Sequence, residues 1–309
     1  MTPVTLFKAL SDETRLRLLN LSLHHELNVN EIVRVLGMGQ SRVSHHLKIL
    51  TDSGLLTHRR DGLWIFYSAV SDGPGSDFIR SVRYLFENDR HFHQDLDAAA
   101  LLIAERSKRT TRFFDSVAGN WERLKKELLG DVGINRKILD ALPERGTMVD
   151  LGCGIGDLLP VLKQKADMVI GVERSAKMLE EARKNFVSEP DRIDIRVGEL
   201  EHLPLRDNEA DAAITNMVLH HLPDPRKALQ EVRRILRMSG TFLIVDLIQH
   251  EDESMREAFG DHWLGFSPEV LERWLNEYGF STTRIERFDL KTGLEGFILL
   301  SNKNSHEGD

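Results

Sequence analysis

A short apolar run that leads into three alternating glycines constrains the fold of this chain more than any other feature. The run covers residues 148–151, and Gly152, Gly154, Gly156 and Asp157 follow it. Glycine has no Cβ and tolerates a positive φ, so a strand that ends in such a turn lets a ligand approach the backbone closely. The spacing differs from the G-x-G-x-x-G pattern of dinucleotide sites, and Asp157 would repel a pyrophosphate. The turn therefore favours a nucleoside that carries a charged amine.

Strand-like and helix-like segments alternate after this turn. We predict helices over residues 158–165, 176–186, 225–236 and 268–278, and strands over residues 168–172, 193–197, 210–215, 241–247, 282–288 and 296–300. Alternating units of this kind indicate a parallel sheet with helices on both faces, closed here by a C-terminal antiparallel hairpin. Ligands of such folds bind at the carboxyl ends of the strands. The predicted fold class is therefore a Rossmann-like α/β domain.

Glu173 stands at the end of the second predicted strand, 23 residues after Asp150. An acidic side chain at that position can accept hydrogen bonds from both hydroxyls of a ribose. The alternative is a surface glutamate that caps the next helix. The glycine turn, Asp150 and Glu173 together resemble the cofactor site of class I S-adenosylmethionine (SAM) methyltransferases.

That resemblance implies a role for each of several residues. Asp150 would lie near the methionyl amine, Met178 over the adenine, and Glu199 at the position where the family usually has an aspartate for the adenine amine. Phe114 and Trp121, in a helix predicted over residues 113–129, would cover the cofactor, with core packing as the alternative. The complete predicted cofactor set is Asp150, Gly152, Cys153, Gly154, Gly156, Glu173, Arg174, Met178, Glu199, Leu200, Asn216, Met217, Phe114 and Trp121.

The N-terminal third of the chain carries a second pattern. Helical periodicity appears over residues 1–20 and 30–37, and a further helix is predicted to start with Ser41 as its cap. Two short strands then flank a turn at Asp61 and Gly62, which is typical of a β-hairpin. A winged helix-turn-helix has this order of elements, and its second helix enters the DNA major groove.

Charge supports this interpretation locally. The whole chain has a net charge of −8, yet residues 40–67 contain four Lys or Arg against two Asp. Contact with phosphates requires such a positive balance. The predicted DNA-contacting residues are Gln40, Ser41, Arg42, Ser44, His45, His46, Lys48, Arg59 and Arg60.

Residues 8–19, 44–50 and 54–56 resemble the ArsR family of bacterial repressors, and the likeness extends over residues 1–95. The resemblance implies a homodimer that forms through a helix predicted over residues 78–104. It also implies a palindromic operator of double-stranded DNA, because two recognition helices one DNA turn apart read a palindrome. The alternative is a helical protein-interaction domain with a solvated basic face.

No metal is expected. Many ArsR-like repressors carry cysteines ahead of the recognition helix, but residues 26–30 contain none, and the chain has one cysteine, Cys153. Asp89, His91 and His93 offer half of a second family site, and residues 101–104 lack the other half. The paired His220 and His221 are left open between a catalytic base and ordinary packing, so no catalytic residue is assigned.

The predicted organisation is a winged helix-turn-helix with its dimerisation helix over residues 1–104, a linker over 105–112, and a SAM-binding methyltransferase-like domain over 113–309. The chain resembles fusions of both kinds of domain that repress methionine-cycle genes in response to S-adenosylhomocysteine (SAH). We therefore expect SAH or SAM as effector. The alternative is an active small-molecule methyltransferase with a DNA-binding head. Without a long apolar run or signal peptide, the expected location is the cytoplasm, away from membranes.

Overall fold

The computed structural model describes residues 2–86, 90–129, 133–142, 144–185, 192–291 and 293–305. The chain divides between Ser107 and Lys108 into two compact units. This division falls inside one helix, Arg90–Val117, so the polar run over residues 105–112 that was predicted as a linker is helical. Within the described ranges, no helix is both long and apolar enough to span a bilayer.

The first unit is a winged helix-turn-helix, which confirms the fold predicted for it. Its elements are α1 (Pro3–Leu10), α2 (Glu13–His24), β1 (Leu27–Asn28), α3 (Val29–Leu36), α4 (Gln40–Asp52), β2 (Leu56–Asp61), β3 (Trp64–Ala69) and α5 (Gly73–Val82). The strands pair antiparallel in the order β1-β3-β2. A short 3-10 helix (Arg83–Phe86) follows α5, and α6 (Arg90–Val117) begins after it, so the single helix predicted over residues 78–104 is interrupted.

Local sequence explains where the helices of the helix-turn-helix begin and end. Asn28 and Glu31 cap α3 reciprocally: the Asn28 side chain accepts from the Glu31 nitrogen, and the Glu31 carboxylate accepts from the Asn28 nitrogen. Gly37 ends α3 at φ 64°, a conformation that favours glycine. Helix α4 begins at Gln40 with Gly39 as its N-cap, two residues before the predicted cap at Ser41.

Among the described residues, ion pairs with buried carboxylates hold the first part of α6 against the helix-turn-helix at two points. Arg17 of α2 donates two hydrogen bonds to the Asp95 carboxylate, at 2.7 and 2.6 Å. Arg106 forms an ion pair with Glu31 of α3. Both carboxylates are buried, so each needs its cation.

The second unit continues from α6 with a 3-10 helix (Ala118–Asn120) and α7 (Trp121–Leu129), so the helix predicted over residues 113–129 is divided in two. Its remaining elements are α8 (Ile134–Ala141), β4 (Arg145–Leu151), α9 (Leu159–Leu162), β5 (Ala166–Glu173), α10 (Ala176–Asn185), β6 (Ile193–Val197), β7 (Ala210–Asn216), α11 (Pro225–Ile235), β8 (Leu236–Leu247), α12 (Ser254–Ala258), α13 (Pro268–Glu277), β9 (Phe280–Asp289) and β10 (Glu295–Lys303).

Strands β4 to β10 form one sheet in the order β6-β5-β4-β7-β8-β10-β9. The first five are parallel, and β10 lies antiparallel between β8 and β9. This topology confirms the predicted α/β domain with its C-terminal antiparallel hairpin. The direction of strand order reverses between β4 and β7, and ligands of open α/β sheets bind at the carboxyl ends of the strands at such a point.

Candidate functional site: a nucleoside-type pocket and a DNA-binding surface

The turn after β4 has the backbone that its glycines suggest. Gly152, Gly154 and Gly156 have φ of 76°, 56° and 84°, all in the left-handed region. A Cβ on Gly152 would lie 2.7 Å from the Val218 side chain, so the turn has no room for one. The nitrogen of Gly152 donates to the Val172 carbonyl at 2.8 Å, which fixes the turn against the end of β5. The result is an open stretch of backbone at the switch point of the sheet.

Glu173, at the end of β5, is held against this turn by three backbone nitrogens. One carboxylate oxygen accepts from Gly154 at 3.0 Å, and the other accepts from Arg174 at 2.8 Å and Ser175 at 2.7 Å. Burial raises the pKa of Glu173, and these three hydrogen bonds oppose the rise. A carboxylate has about four acceptor positions, so capacity for ribose hydroxyls remains.

Asp150 is buried beneath the turn, with 2% of its surface exposed. Burial raises the pKa of Asp150 to about 7; Asp157 and Glu173 add to the rise and Lys125 opposes it. Lys125 itself donates to Asp157 at 2.8 Å. Asp157 therefore carries its own counter-ion, a partner 32 residues away in α7 that no local sequence pattern indicated.

Phe114 and Trp121 lie beside the glycine turn. Their rings meet edge to face at 5.4 Å and pack against Ile155 and Met178. A Cβ on Gly154 would be 3.7 Å from the indole nitrogen of Trp121. The aromatic pair thus forms an apolar cover at the turn.

The remaining predicted cofactor residues divide into two groups. Glu199 is half-exposed and pairs with Arg174 at 3.3 Å, so both side chains are at the surface beside the end of β5. Leu200 and Cys153 are buried instead. Leu200 packs in the core cluster of the sheet, so its side chain contributes to the fold of this edge.

Asn216 ends β7 at the same edge of the sheet, and Met217 follows it. Met217 has φ 58°, which is rare for a residue other than glycine, and its nitrogen donates to the Val245 carbonyl at 2.8 Å. Such backbone outliers cluster at binding sites, because the surrounding structure has to hold them in place.

His220 and His221 follow β7 and meet two buried aspartates. His220 Nδ1 lies 2.6 Å from Asp246 Oδ1, while Asp261 Oδ1 is 3.7 Å from His220 Nε2 and 3.4 Å from His221 Nδ1. Burial lowers the pKa of His220, but Asp246 and Asp261 outweigh it and raise that pKa to about 9. Burial and the neighbouring His220 hold the pKa of His221 well below its usual value. The ring of Phe114 contacts His221 edge to face at 4.8 Å.

Helix α4 presents most of the predicted DNA contacts on its exposed face, namely Gln40, Ser41, Arg42, Ser44, His45 and Lys48. His46 is a correction, because only 8% of it is exposed and its ring faces Asp12, with 3.9 Å between Nδ1 and Oδ1. It follows Val43 by three residues and precedes Leu50 by four, so the helical repeat places it on the buried face.

The two arginines of the β2–β3 hairpin that were predicted to contact DNA, Arg59 and Arg60, have different surroundings. Arg60 is exposed and donates to the Gly62 carbonyl at 2.9 Å. Arg59 instead forms a two-pronged pair with Glu26, at 2.9 and 3.1 Å, and lies over the Phe66 ring. Its guanidinium therefore links strand β2 of the hairpin to the segment between α2 and β1, a role that the sequence did not indicate.

Two family models match the chain, one in each unit. Residues 12–58 match the model for bacterial regulatory proteins of the arsR family, and residues 149–244 match the model for a methyltransferase domain. The class of protein that this architecture defines is a helix-turn-helix unit joined to an α/β methyltransferase domain. This chain carries an ArsR-family helix-turn-helix region followed by a methyltransferase domain, as predicted.

Individual relatives match parts of the chain. An uncharacterized 37.1 kDa protein in transposon TN4556 of Streptomyces fradiae is 38% identical over 136 residues, 40% of this chain and 39% of that protein. An arsenite methyltransferase of Halobacterium salinarum is 30% identical over 126 residues, 38% of this chain and 32% of the enzyme. The chain thus spans well under half the length of these two relatives.

A solved structure shares the fold. It belongs to the complex between the Haloferax volcanii Trm112 methyltransferase activator and its methyltransferase partner. The TM-score is 0.53 with 19% sequence identity, over 62% of this chain and 98% of that chain. At this level of identity the likeness concerns the fold alone.

Proposed function

We propose that this protein is a transcriptional repressor whose methyltransferase domain binds SAH or SAM as an effector that alters operator binding. The observation that carries the proposal is the glycine turn with Glu173 against it, in the same chain as an ArsR-family helix-turn-helix region. The genes of the methionine and SAM cycle are the proposed targets, because an effector from that cycle reports on its state.

The pocket suits the nucleoside part of SAH and SAM. The left-handed backbone of the three glycines admits close contact with a ligand, and Glu173 is oriented for the ribose hydroxyls. Asp150 supplies a carboxyl group for the methionyl amine, and Phe114 and Trp121 cover the turn. An apolar cover favours the neutral sulfur of SAH, whereas nearby carboxylates favour the sulfonium of SAM.

The first unit suits a palindromic operator. Arg42, Ser44 and Lys48 lie on the exposed face of α4, from which a recognition helix contacts base edges and phosphates. Three large apolar side chains near the proposed dimer helix are exposed: Tyr84 at 64%, Leu85 at 58% and Leu101 at 73%. A second copy of the chain would cover them, and we propose this homodimer as the DNA-binding form.

Operator binding in the presence of each ligand tests the proposal. DNA selected by the protein from a random-sequence pool is labelled, and its affinity is measured by fluorescence anisotropy at saturating SAH and at saturating SAM. We expect at least one ligand to change the affinity about 10-fold or more, which is a coupling free energy of about 1.4 kcal/mol. If calorimetry shows that both ligands are bound and neither alters DNA affinity, the effector role is wrong.

A second candidate function is methyl transfer to a small molecule. The close His220–Asp246 pair at the end of β7 favours it, since a histidine oriented by a carboxylate can move a proton during transfer. Incubation with methyl-labelled SAM and a panel of small-molecule acceptors tests this directly. Catalytic formation of SAH that depends on an acceptor would support an enzyme, and its absence across the panel together with a DNA response would support the sensor.

A further inference from the structure

We propose that His220, His221 and Asp261 form a binding site for a divalent transition-metal ion such as Zn²⁺. Among the residues that the structure describes, these three form a group in which one ligand atom from each lies within 4.8 Å of the others, and all three side chains are buried. The site is independent of the DNA-binding and effector roles proposed above. It departs from the expectation of no metal that the sequence supported.

The distances approach those of a tetrahedral metal centre. Asp261 Oδ1 lies 3.4 Å from His221 Nδ1 and 3.7 Å from His220 Nε2. With Zn–N and Zn–O bonds of about 2.0–2.1 Å, tetrahedral geometry places ligand atoms about 3.3 Å apart. Both distances from Asp261 are close to this spacing, so its carboxylate is placed to share one metal ion with each histidine.

His220 is oriented as a ligand by a second carboxylate. Its Nδ1 lies 2.6 Å from Asp246 Oδ1, which also accepts from the Leu247 nitrogen at 2.7 Å. A metal ion that displaces the Nε2 proton would leave the Nδ1 proton on the side of Asp246, and the lone pair of Nε2 would then lie on the side of Asp261. Metal-bound histidines nearly always donate their other N–H to such a partner, which fixes the tautomer and strengthens the ligand.

His221 presents a buried nitrogen to the same point. Only 8% of the residue is exposed, and its Nδ1 has no hydrogen-bond partner within the described part of the chain. A hydrogen bond with the Gly260 backbone holds the ring.

The ligand set selects the class of metal. Two imidazoles and one carboxylate suit Zn²⁺ and related transition metals, whereas Mg²⁺ and Ca²⁺ prefer oxygen ligands throughout. Three protein ligands leave a fourth position, as in catalytic zinc sites. The ring of Phe114 lies between His221 and Trp121, so this position is next to the aromatic cover of the glycine turn.

Metal binding by the full chain tests the proposal. Purified protein is stripped with chelator, loaded with Zn²⁺, dialysed and analysed by mass spectrometry for metal content. We expect stoichiometric Zn²⁺ in the unaltered chain and its loss in Asp261→Asn and His221→Gln. Asp246→Asn removes only the orienting partner, so it should weaken Zn²⁺ binding by about 10- to 100-fold. His202→Gln, at an exposed histidine of the same unit, should change nothing.

Cobalt substitution gives a readout that needs no variant. Co²⁺ at the proposed site should give the visible d–d bands of a four- or five-coordinate centre without a thiolate charge-transfer band. Such a band would place the metal on Cys153 and overturn the assignment. Failure of the unaltered chain to retain Zn²⁺, or equal retention by folded Asp261→Asn, would likewise show that the cluster is only a buried ion pair.

Discussion

The carboxylate of Glu173 accepts a hydrogen bond from the nitrogen of Gly154 at 3.0 Å, and this contact joins the end of β5 to the turn that follows β4. It orients the acidic side chain before any ligand is present. The entropy of placing that carboxylate is therefore lost on folding and not on binding, which favours affinity.

Replacing Glu173 with glutamine tests its proposed contact with the ribose. The change removes charge-assisted hydrogen bonds worth about 1.5–3 kcal/mol, so SAH affinity should fall by about 10- to 100-fold in titration calorimetry. Glu180→Gln is the matched control, since Glu180 is an exposed residue of α10 that pairs with Lys184. Equal SAH affinities in the two variants would show that Glu173 does not contact the ligand.

Gly154→Val tests the close approach of the ligand to the backbone. We expect SAH binding to become undetectable, because the new side chain fills the space over the turn. Gly133→Val is the control: Gly133 has φ 61°, close to the 56° of Gly154, and no described atom lies within 4 Å of a Cβ placed there. Both variants carry the strain of about 1–2 kcal/mol of a left-handed residue. If SAH binding is lost in both the Gly154→Val and the Gly133→Val variants, the cause is backbone strain and not the space over the turn.

The raised pKa of Asp150 predicts that SAH affinity depends on pH. The pKa is about 7 in the ligand-free state, and a cationic amine beside the carboxylate would lower it. Binding should therefore release a proton below about pH 7, and affinity should rise with pH up to about that value. Calorimetry in two buffers of different ionisation enthalpy measures the released proton. Asp150→Asn should abolish both the proton release and the pH dependence.

The same group predicts the direction of stability with pH. The folded-state pKa of about 7 lies above the usual value of 3.8, so the folded state keeps a proton that the unfolded state loses first. The free energy of unfolding should therefore fall between about pH 4 and pH 7, by up to about 4 kcal/mol from this group. Urea unfolding across this range should show a smaller fall in Asp150→Asn, and an equal fall would contradict the prediction.

Arg42→Ala should weaken DNA binding and leave SAH affinity unchanged. Arg42 is exposed on α4, and its guanidinium forms no ion pair with any residue of the described ranges. Loss of one phosphate contact should lower the slope of log affinity against log salt by about 1. Arg80→Ala removes an exposed arginine of α5 that pairs with Asp77, and it should preserve the slope. A slope that stays the same in Arg42→Ala would exclude the contact.

The features that depend on regular residue spacing or on the order of secondary-structure elements were predictable from the sequence. The left-handed turn followed from its glycines, the parallel sheet from alternating elements, and the buried face of α4 from the spacing of Val43, Leu47 and Leu50. The same spacing would have identified His46 as buried, had its polarity not been given more weight than its position in the helix.

Partners that are distant in sequence were not predictable. The pairs of Lys125 with Asp157 and of Arg59 with Glu26 join residues 32 and 33 positions apart. Asp246 and Asp261 reach the two histidines from β8 and from the loop after α12. Such contacts depend on the three-dimensional arrangement of the strands and loops, and neither composition nor periodicity encodes them.

Cys153, the one cysteine of the chain, is 8% exposed, and burial raises the pKa of its thiol well above the usual value. Since the thiolate is the form that reacts, an alkylating reagent can modify this residue only when the turn opens. The rate of its modification, followed by the mass of the intact protein, therefore reports how often the turn opens. A ligand bound at the turn would slow the alkylation of Cys153. The occupancy of the site can therefore be measured in the unaltered chain without any label.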